Sequence, residues 1–498
     1  MKADYEVGIV GAGFAGLAAA LRLKKSGKTS FVIFERAAEI GGTWRDNVYP
    51  GCACDVASPL YSFRQALNPG WSRLYAGQPE ILAYMNDVVQ KNELQKHIRF
   101  QSDIVNAVFQ KELGGWVLTD RSGNSFSVRL LILGTGPLNR PHIPHFAGLA
   151  SFKGKHFHSS QWNSSVDFTG KKVAVIGTGA SAIQIIPALA PIAEQLTVFQ
   201  RTPAWVTPRK DRALTEAQHR RWKKFPLLMW LKREAIYWFS EFLGLGFVGF
   251  EPINRIMRKV ALGRLTRHVK DPEMRQKLTP NYKIGCKRIL RSDDYYKTFN
   301  RQNVALVTDR IDHFTQDGIV ANGRLHPLDA VVFGTGFVAA DIDLYLNVIG
   351  PGGENLIERW KETGAEAYLG TTVAGFPNLC FLLGPNTGLG HNSVVHMMES
   401  QMNYVMGYLN HLEQMPEGTY FDIKEDVQRR YNAHLQKQFK GTVWSSGCKS
   451  WYLNAAGKNT TLYPRLSASF RRQTKRFDPA NYRQVQQSVP ENTKVEIQ

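Results

Sequence analysis

The sequence predicts an α/β fold with two separate βαβ units and an inserted helical segment. Two buried strands, Tyr5–Val10 and Lys172–Ile176, are each followed by a glycine-rich turn and an apolar helix, which is the pattern of a βαβ unit. Over residues 210–277 helical spacing replaces the strand pattern, and strands resume at Val304–Val307 and Ala330–Phe333. Of the 498 residues 43% are hydrophobic and 21% charged, which excludes global disorder and a multi-span membrane protein.

The first βαβ unit carries a dinucleotide-binding turn. Its G-x-G-x-x-G spacing places glycines at Gly11, Gly13 and Gly16, and the next strand, Phe31–Phe34, ends at Glu35. The first glycine permits a tight bend, the second lets the backbone approach a pyrophosphate, and the third lets the helix pack on the strand. The acid after the second strand is positioned to accept both ribose hydroxyls. This unit therefore predicts a dinucleotide without a 2′-phosphate.

The second unit differs at two informative places. Its turn is Gly177, Thr178, Gly179, Ala180, Ser181 and Ala182, so that an alanine replaces the third glycine. The strand at 196–199 leads to Arg201 and Thr202 and has no acid at its end. An arginine with a neighbouring hydroxyl can bind a 2′-phosphate through charge-assisted hydrogen bonds. We therefore expect NADP(H) at this site, and electron flow from NADPH to a flavin, FAD, at the first.

The cysteine content limits which electron acceptor the reduced flavin can have. A disulfide reductase would need a redox-active cysteine pair at the flavin, and only Cys52 and Cys54 lie together, in a C-x-C arrangement of poor geometry for a disulfide. The flavin must then reduce oxygen, a quinone or the substrate. Five scattered cysteines predict no disulfide framework and favour a reducing compartment, the cytoplasm.

The charge balance predicts anionic partners. Lys and Arg number 62 against 42 Asp and Glu, a formal charge of +20. Binding of the anionic cofactors FAD and NADPH accounts for such an excess without a nucleic acid partner.

The longest apolar stretch, residues 226–250, is interrupted by Lys232, Arg233, Glu234 and Glu241 and is too short between charges to span a membrane. We expect a helix pair packed on the protein there, and a peripheral membrane contact stays open.

Two long motifs carry a family resemblance over nearly the whole chain. Phe152, Gly154, His158 and Trp162 form an F-x-G-x-x-x-H-x-x-x-W pattern, and a second pattern runs from G-G-T-W at 41–44 through Y-P-G at 49–51 to Asp55. Both resemble the fingerprints of the type I Baeyer–Villiger monooxygenases. The related monooxygenases that oxidise nitrogen and sulfur are the alternative, which Trp162, Asp55 and Arg288 disfavour.

The resemblance implies two cofactor sites and a coupling element. For FAD it implies Gly11, Gly13, Phe14, Gly16, Glu35, Gly42, Thr43, Trp44, Asp55 and Tyr61. For NADP it implies Gly177, Thr178, Gly179, Ala180, Ser181, Ala182, Arg201, Thr202, Lys287 and Arg288. His158 and Trp162, with Phe152 and Gly154, would couple NADP binding to domain rotation. The fold it implies has two Rossmann-like dinucleotide-binding domains, FAD at 1–140 and 340–498 and NADP at 150–209 and 285–335, with a helical insertion at 210–284.

The resemblance also implies a mechanism and two catalytic residues, Arg288 and Asp55. Reduced flavin and O2 would give a C4a-peroxyflavin that attacks a hydrophobic ketone and yields an ester or lactone. Negative charge would develop on oxygen twice, and a well-placed guanidinium such as that of Arg288 is worth ~3–4 kcal/mol there. Asp55 would hold the arginine in place. A purely structural salt bridge would make the same contact.

Overall fold

The computed structural model describes residues 2–338, 345–448 and 450–486. Within these ranges the strands are β1 (Tyr5–Val10), β2 (Phe31–Phe34), β3 (Ile98–Arg99), β4 (Ile104–Gln110), β5 (Gly115–Asp120), β6 (Ser125–Leu133), β7 (Lys155–His158), β8 (Lys172–Ile176), β9 (Gln195–Phe199), β10 (Val206–Thr207), β11 (Leu290–Arg291), β12 (Val304–Val307), β13 (Ile311–Phe314), β14 (Gly318–Ala321), β15 (Arg324–Pro327), β16 (Ala330–Phe333), β17 (Asn347–Ile349), β18 (Leu379–Phe381), β19 (Tyr420–Ile423) and β20 (Tyr482–Val485). The helices are α1 (Phe14–Lys25), α2 (Thr43–Asp46), α3 (Gln78–Lys91), α4 (Ala182–Leu189), α5 (Glu216–Lys224), α6 (Pro226–Gly244), α7 (Glu251–His268), α8 (Pro272–Leu278), α9 (Tyr295–Thr298), α10 (Leu356–Thr363), α11 (Val394–Glu413), α12 (Glu425–Lys437) and α13 (Ser467–Gln473).

The larger sheet contains the first βαβ unit. Its strand order is β17-β4-β5-β6-β1-β2-β3, and β18 also pairs with β6. β1 runs parallel to β2 and β6, so that Val10 lies beside Phe34 and Leu133. The glycine turn, Glu35 and Gly134 therefore lie together at the carboxyl ends of these parallel strands. The predicted bounds of β1 and β2 are confirmed, and the predicted apolar helix follows the turn as α1.

A smaller, fully parallel sheet contains the second unit. Its order is β12-β9-β8-β16-β7, and Ile176 of β8 pairs with Phe199 and Phe333. The second glycine turn, Gln200 and Gly334 consequently lie together at the carboxyl ends of these strands. The predicted strands β8, β12 and β16 are confirmed with the same bounds.

The helical segment is confirmed between β10 and β11, where α5 to α8 follow one another. The expected helix pair over residues 226–250 was wrong, because α6 is a single helix. The expected packing on the protein holds only in part, since about half of the large apolar residues of this stretch are exposed. Among the described residues, no helix combines the length and apolar character that a bilayer crossing demands.

The cysteines depart from the prediction in one respect. Cys286 and Cys448 form a disulfide with their Cα atoms 6.3 Å apart, a spacing typical of such a bond. Their 162-residue separation leaves no local signal in the sequence. Cys52 and Cys54 are free, as expected from their C-x-C spacing, and burial raises the pKa of the Cys52 thiol to about 11. They do not form a reactive dithiol.

Candidate active site

The first glycine turn requires two of its glycines for steric reasons. Gly11 has φ of +101°, and a Cβ there would lie 2.8 Å from the carbonyl oxygen of Gly134. A Cβ on Gly16 would lie 1.8 Å from the Gly11 oxygen. Any side chain at Gly16 would therefore push the helix away from the strand.

The second glycine of this turn leaves space for a ligand. Gly13 is the N-cap of α1 and has an extended φ of −81°, which any residue can adopt. The nearest atom to a Cβ there would be Gly42 Cα, 3.8 Å away. Since Gly13 offers no side chain to cap α1, the first-turn amides are left for an external acceptor. This glycine-lined cradle at a helix N-terminus fits the pyrophosphate of FAD.

Glu35 is held beside the cradle. Its Oε2 accepts a hydrogen bond from the Ala12 amide at 2.8 Å, and its Oε1 accepts from the Ala37 amide at 3.0 Å. Arg45 Nη1 also donates to Oε1 at 3.0 Å. The carboxylate is thus oriented by the turn itself, as expected of an acid that binds ribose.

Three aromatic side chains predicted at the FAD site lie together. The ring centroids of Phe14 and Tyr61 are 4.9 Å apart, and those of Trp44 and Tyr61 are 5.7 Å apart. Trp44 Nε1 donates to the Tyr61 hydroxyl at 3.0 Å. Thr43 and Trp44 begin α2, and the positive φ of +51° at Gly42 turns the chain into it.

The second turn repeats the geometry of the first. Gly177 has φ of +109°, and its Cβ would lie 2.4 Å from the Gly334 oxygen. Gly179 leaves more room, with the same oxygen 3.8 Å away. Ser181 gives α4 no side-chain cap, and Thr178 Oγ1 donates to the Thr202 carbonyl at 2.9 Å. Again an uncapped helix start faces an open glycine turn, which fits a pyrophosphate.

Arg201 and Lys287 are near enough for the charge of one to act on the other. Burial and the positive charge of Arg201 lower the pKa of Lys287 below its ordinary value. The Lys287 ammonium also lies 4.9 Å from the centroid of the Tyr282 ring. Like charges that approach each other favour an anion between them, so Arg201 and Lys287 fit the 2′-phosphate of NADP.

Arg288 and Asp55, from distant parts of the sequence, form a bidentate ion pair. Arg288 Nη2 donates to Asp55 Oδ1 at 2.9 Å and Oδ2 at 2.8 Å, and Nε donates to Oδ2 at 3.3 Å. Burial alone would raise the pKa of Asp55, but Arg288 and then Arg291 hold it below its ordinary value. Asp55 in turn raises the pKa of Arg288. Both groups are therefore charged at neutral pH, and 36% of the Arg288 side chain stays exposed.

The F-x-G-x-x-x-H-x-x-x-W segment attaches the linker to the smaller sheet. His158 ends the edge strand β7, and its Nε2 donates to the Gly336 carbonyl at 2.9 Å while its Nδ1 accepts from the Ser160 amide at 3.1 Å. Trp162 contacts Phe157 with their ring centroids 5.3 Å apart. Burial lowers the pKa of His158, so the imidazole is neutral at pH 7.

The start of that segment is tightly packed. Phe152 is buried, and a Cβ on Gly154 would lie 2.4 Å from the Phe152 ring and 2.5 Å from the Asp329 oxygen. Only glycine allows the chain to pass between these groups.

Gln184 was missed by the sequence reasoning, although it joins the two predicted cofactor regions. Its Oε1 accepts from the Tyr49 hydroxyl at 3.1 Å and the Ala53 amide at 3.3 Å, and its Nε2 donates to the Ala53 carbonyl at 2.9 Å. The only signal was one amide side chain in the otherwise apolar α4. This residue links the loop before Asp55 to the second βαβ unit.

A cavity of about 260 Å³ adjoins the ion pair. Asp55, Arg291 and Leu60 line it together with His391 and Phe239. The lining combines polar groups with apolar side chains, which suits a small ligand that has a polar atom and a hydrophobic body.

Comparison with known proteins identifies the family. A family model described as flavin-binding monooxygenase-like matches residues 4–342. A Baeyer–Villiger monooxygenase of Pseudomonas aeruginosa is 45% identical over 480 residues, which cover 96% of this chain and 91% of that protein. One of Streptomyces coelicolor is 43% identical over 486 residues, covering 97% and 93%.

A solved structure agrees with these relatives. The crystal structure of OTEMO in complex with FAD and NADP superposes with a TM-score of 0.86 and 27% identity, covering 97% of this chain and 100% of that one. Because the sequence match extends over nearly all of both chains and the fold agrees, the chain belongs to the flavin-binding monooxygenase-like family, among its Baeyer–Villiger monooxygenases.

Proposed function

We propose that the protein is an NADPH- and O2-dependent flavoprotein monooxygenase that inserts one oxygen atom beside the carbonyl of a hydrophobic ketone, giving an ester or lactone. The observation that carries the proposal is the charged pair of Arg288 and Asp55, whose aspartate lines a cavity of about 260 Å³. Relatives named Baeyer–Villiger monooxygenases and a similar structure holding FAD and NADP support it.

FAD is assigned to residues 1–140 and 340–498. Gly11, Gly13 and Gly42 would hold its pyrophosphate, Glu35 would bind its ribose, and Phe14, Trp44 and Tyr61 would contact the rest of the cofactor. When bound, FAD takes electrons from NADPH and activates O2. The chain itself orients this cofactor and shields it with the aromatic cluster.

NADPH is assigned to residues 150–209 and 285–335, with 210–284 as the helical insertion. The turn at 177–182 holds the pyrophosphate, and Arg201, Thr202 and Lys287 hold the 2′-phosphate. His158 and Trp162 couple the NADP site to the flavin region, because His158 is tied to the Gly336 turn at the end of β16.

Arg288 is the residue that acts on the reacting atoms. Its guanidinium is fixed by Asp55, permanently charged and partly exposed, so it would stabilise the negative charge that develops on the substrate oxygen. Preorganisation matters because no energy is then spent in reorienting the donor during the reaction. Asp55 positions the guanidinium and keeps it from turning toward other acceptors.

The substrate is a ketone with a hydrophobic body. Leu60, Ile236 and Phe239 line the cavity beside Asp55 and would bury the hydrocarbon portion. O2 is the second substrate. We expect the enzyme in the cytoplasm because Cys52, Cys54 and Cys380 are free thiols; the Cys286–Cys448 disulfide argues against this expectation, since disulfides are rare in a reducing compartment.

The test is direct. The purified yellow protein is incubated with NADPH, oxygen-18 gas and linear, cyclic and aryl ketones, and the products are identified by mass spectrometry. We expect esters or lactones that carry one labelled oxygen. Sulfoxides or N-oxides from added sulfides or amines, without any ester, would instead establish the heteroatom-oxidising alternative.

A further inference from the structure

Helix α6 buries charged and polar residues and exposes a wide apolar stripe. Its buried face carries Arg233, Ser240 and Glu241 beside Met229 and Tyr237, and Arg233 is only 1% exposed. The opposite face exposes large apolar side chains, which we call the apolar face of α6; its members are Leu227, Leu228, Leu231, Trp238, Phe239 and Phe242. A helix on the surface of a soluble domain normally shows the reverse distribution.

The exposure on the apolar face is large. Leu227 is 64% exposed, Trp238 59% and Phe239 61%. At 100° per residue the six side chains fall within one third of the helix circumference, so they form a continuous stripe. A contiguous exposed apolar stripe of this kind marks a surface that is covered by a partner.

The charges beside the stripe are basic. Lys223 and Lys224 end α5, which packs against α6, and Lys232 lies in α6 itself. The Lys224 ammonium lies 5.5 Å from the centroid of the Phe225 ring. No carboxylate of the described residues lies within ion-pair distance of these three lysines.

We propose that the apolar face of α6 and its flanking lysines dock on the surface of an anionic lipid bilayer. Insertion of Leu, Trp and Phe side chains at the headgroup boundary, with lysines at anionic phosphates, is the binding mode of interfacial helices. A second copy of this chain would bring the same lysines against each other, so the charge pattern favours the bilayer over a dimer.

Docking has a consequence for the active site, which rests on the proposed function. Phe239 and Lys232 line the cavity that reaches Asp55 and also belong to the docking surface. The bilayer would therefore lie beside the cavity, and a hydrophobic ketone could pass into it from the lipid. The favoured substrates are then ketones that partition into membranes.

Binding is tested by flotation of the holoenzyme with vesicles of phosphatidylcholine alone or with about 30% phosphatidylglycerol. We expect at least about tenfold stronger binding to the anionic vesicles, since each lysine near such a surface contributes roughly 1 kcal/mol. About 0.5 M salt should remove most of that difference. No binding to either vesicle, or equal binding to both, would overturn the proposal.

Two variants locate the surface without touching the cavity. Leu231→Ser with Trp238→Ser removes apolar contacts, and Lys223→Glu with Lys224→Glu reverses the charge; each should weaken vesicle binding about tenfold or more. Their control is Lys475→Glu with Arg476→Glu, an equally exposed basic pair after α13. An equal loss of vesicle binding in the control variant would overturn the assignment of binding to α6 and its flanking lysines.

A further measurement separates the bilayer from a second copy. The mass of the holoenzyme without lipid is measured by light scattering; a dimer that Leu231→Ser with Trp238→Ser dissociates would overturn the proposal. Vesicle binding does not depend on turnover, so it can succeed or fail whatever the ketone assay gives. If the ketone assay and the vesicle-binding assay both give the expected result, adding anionic vesicles should raise the turnover of a membrane-soluble ketone. The turnover of a water-soluble ketone should stay unchanged.

Discussion

Arg288 and Asp55 are 233 residues apart in the sequence, yet they meet through three hydrogen bonds of 2.8–3.3 Å. Asp55 follows the loop that Gln184 ties to α4, and Arg288 follows Cys286, which is disulfide-bonded to Cys448. Each member of the pair is thus anchored by a contact of its own. This rigidity is what electrostatic stabilisation of a developing charge requires.

Replacing the guanidinium should separate reduction from oxygen transfer. For Arg288→Ala we expect ester formation to fall by about 100-fold or more, the usual loss of a well-placed donor, while NADPH still bleaches the flavin in anaerobic stopped-flow measurements. Arg264→Ala is the matched control, because it breaks another partly buried arginine–aspartate pair, with Asp293, and neither of those residues lines the cavity. Retained ester formation in Arg288→Ala would remove this residue from its assigned role.

The phosphate site can be tested by comparing the two nicotinamide cofactors. For Arg201→Ala we expect the KM for NADPH to rise about 10- to 100-fold, since a hydrogen bond to a charged group contributes about 1.5–3 kcal/mol. The KM for NADH should change little. Arg301→Ala, an exposed arginine after α9, serves as the control. Equal effects on NADPH and NADH would refute the assignment.

The glycine turn offers a matched pair of substitutions. Gly13→Ala should fold normally, because its methyl group meets only Gly42 Cα at 3.8 Å, but should bind much less FAD because the methyl group occupies the cradle. Gly16→Ala should unfold at a lower temperature even without FAD, since its Cβ would lie 1.8 Å from the Gly11 oxygen. Flavin absorbance per protein and the Tm of the apoprotein measure the two effects. Full flavin content in Gly13→Ala would contradict the cradle.

Local patterns were sufficient to predict both βαβ units. The bounds of β1 and β8 follow from buried apolar runs that end at glycine turns, and those of β2 from a run that ends at Glu35. Such signals are contained within a few residues. The contact between Asp55 and Arg288 came from the family resemblance and was found in the structure.

Contacts between distant segments could not be predicted in the same way. Cys286 and Cys448 are brought together only by the tertiary fold. Gln184 is one polar residue in an apolar helix, and its partners lie more than 130 residues earlier. The apolar residues of α6 suggested packing, because hydropathy cannot say which face a helix buries when buried polar partners exist. Glu241 is such a case, since its partner His391 lies on a distant loop.

Glu241 gives the stability of this region a defined pH dependence. His391 Nε2 donates to it at 3.0 Å, Asn392 Nδ2 at 2.8 Å, Ser467 Oγ at 2.7 Å and the Ala468 amide at 2.9 Å. Burial alone would raise the pKa of Glu241, but the hydrogen bond and charge of His391, followed by the other donors, lower it to about 2.

A lowered carboxyl pKa contributes stability that is complete above the ordinary value of 4.5 and is lost as pH falls toward about 2. We therefore expect Glu241→Gln to reduce the free energy of unfolding by about 3 kcal/mol at pH 7, and the deficit to shrink below about pH 4.5. Denaturant unfolding of the apoprotein at pH 8, 6 and 3.5 measures it. Glu216→Gln, whose side chain is 89% exposed, should change stability by less than about 0.5 kcal/mol. A deficit for Glu241→Gln that is constant from pH 8 to 3.5 would show that its carboxylate charge is not what stabilises the fold.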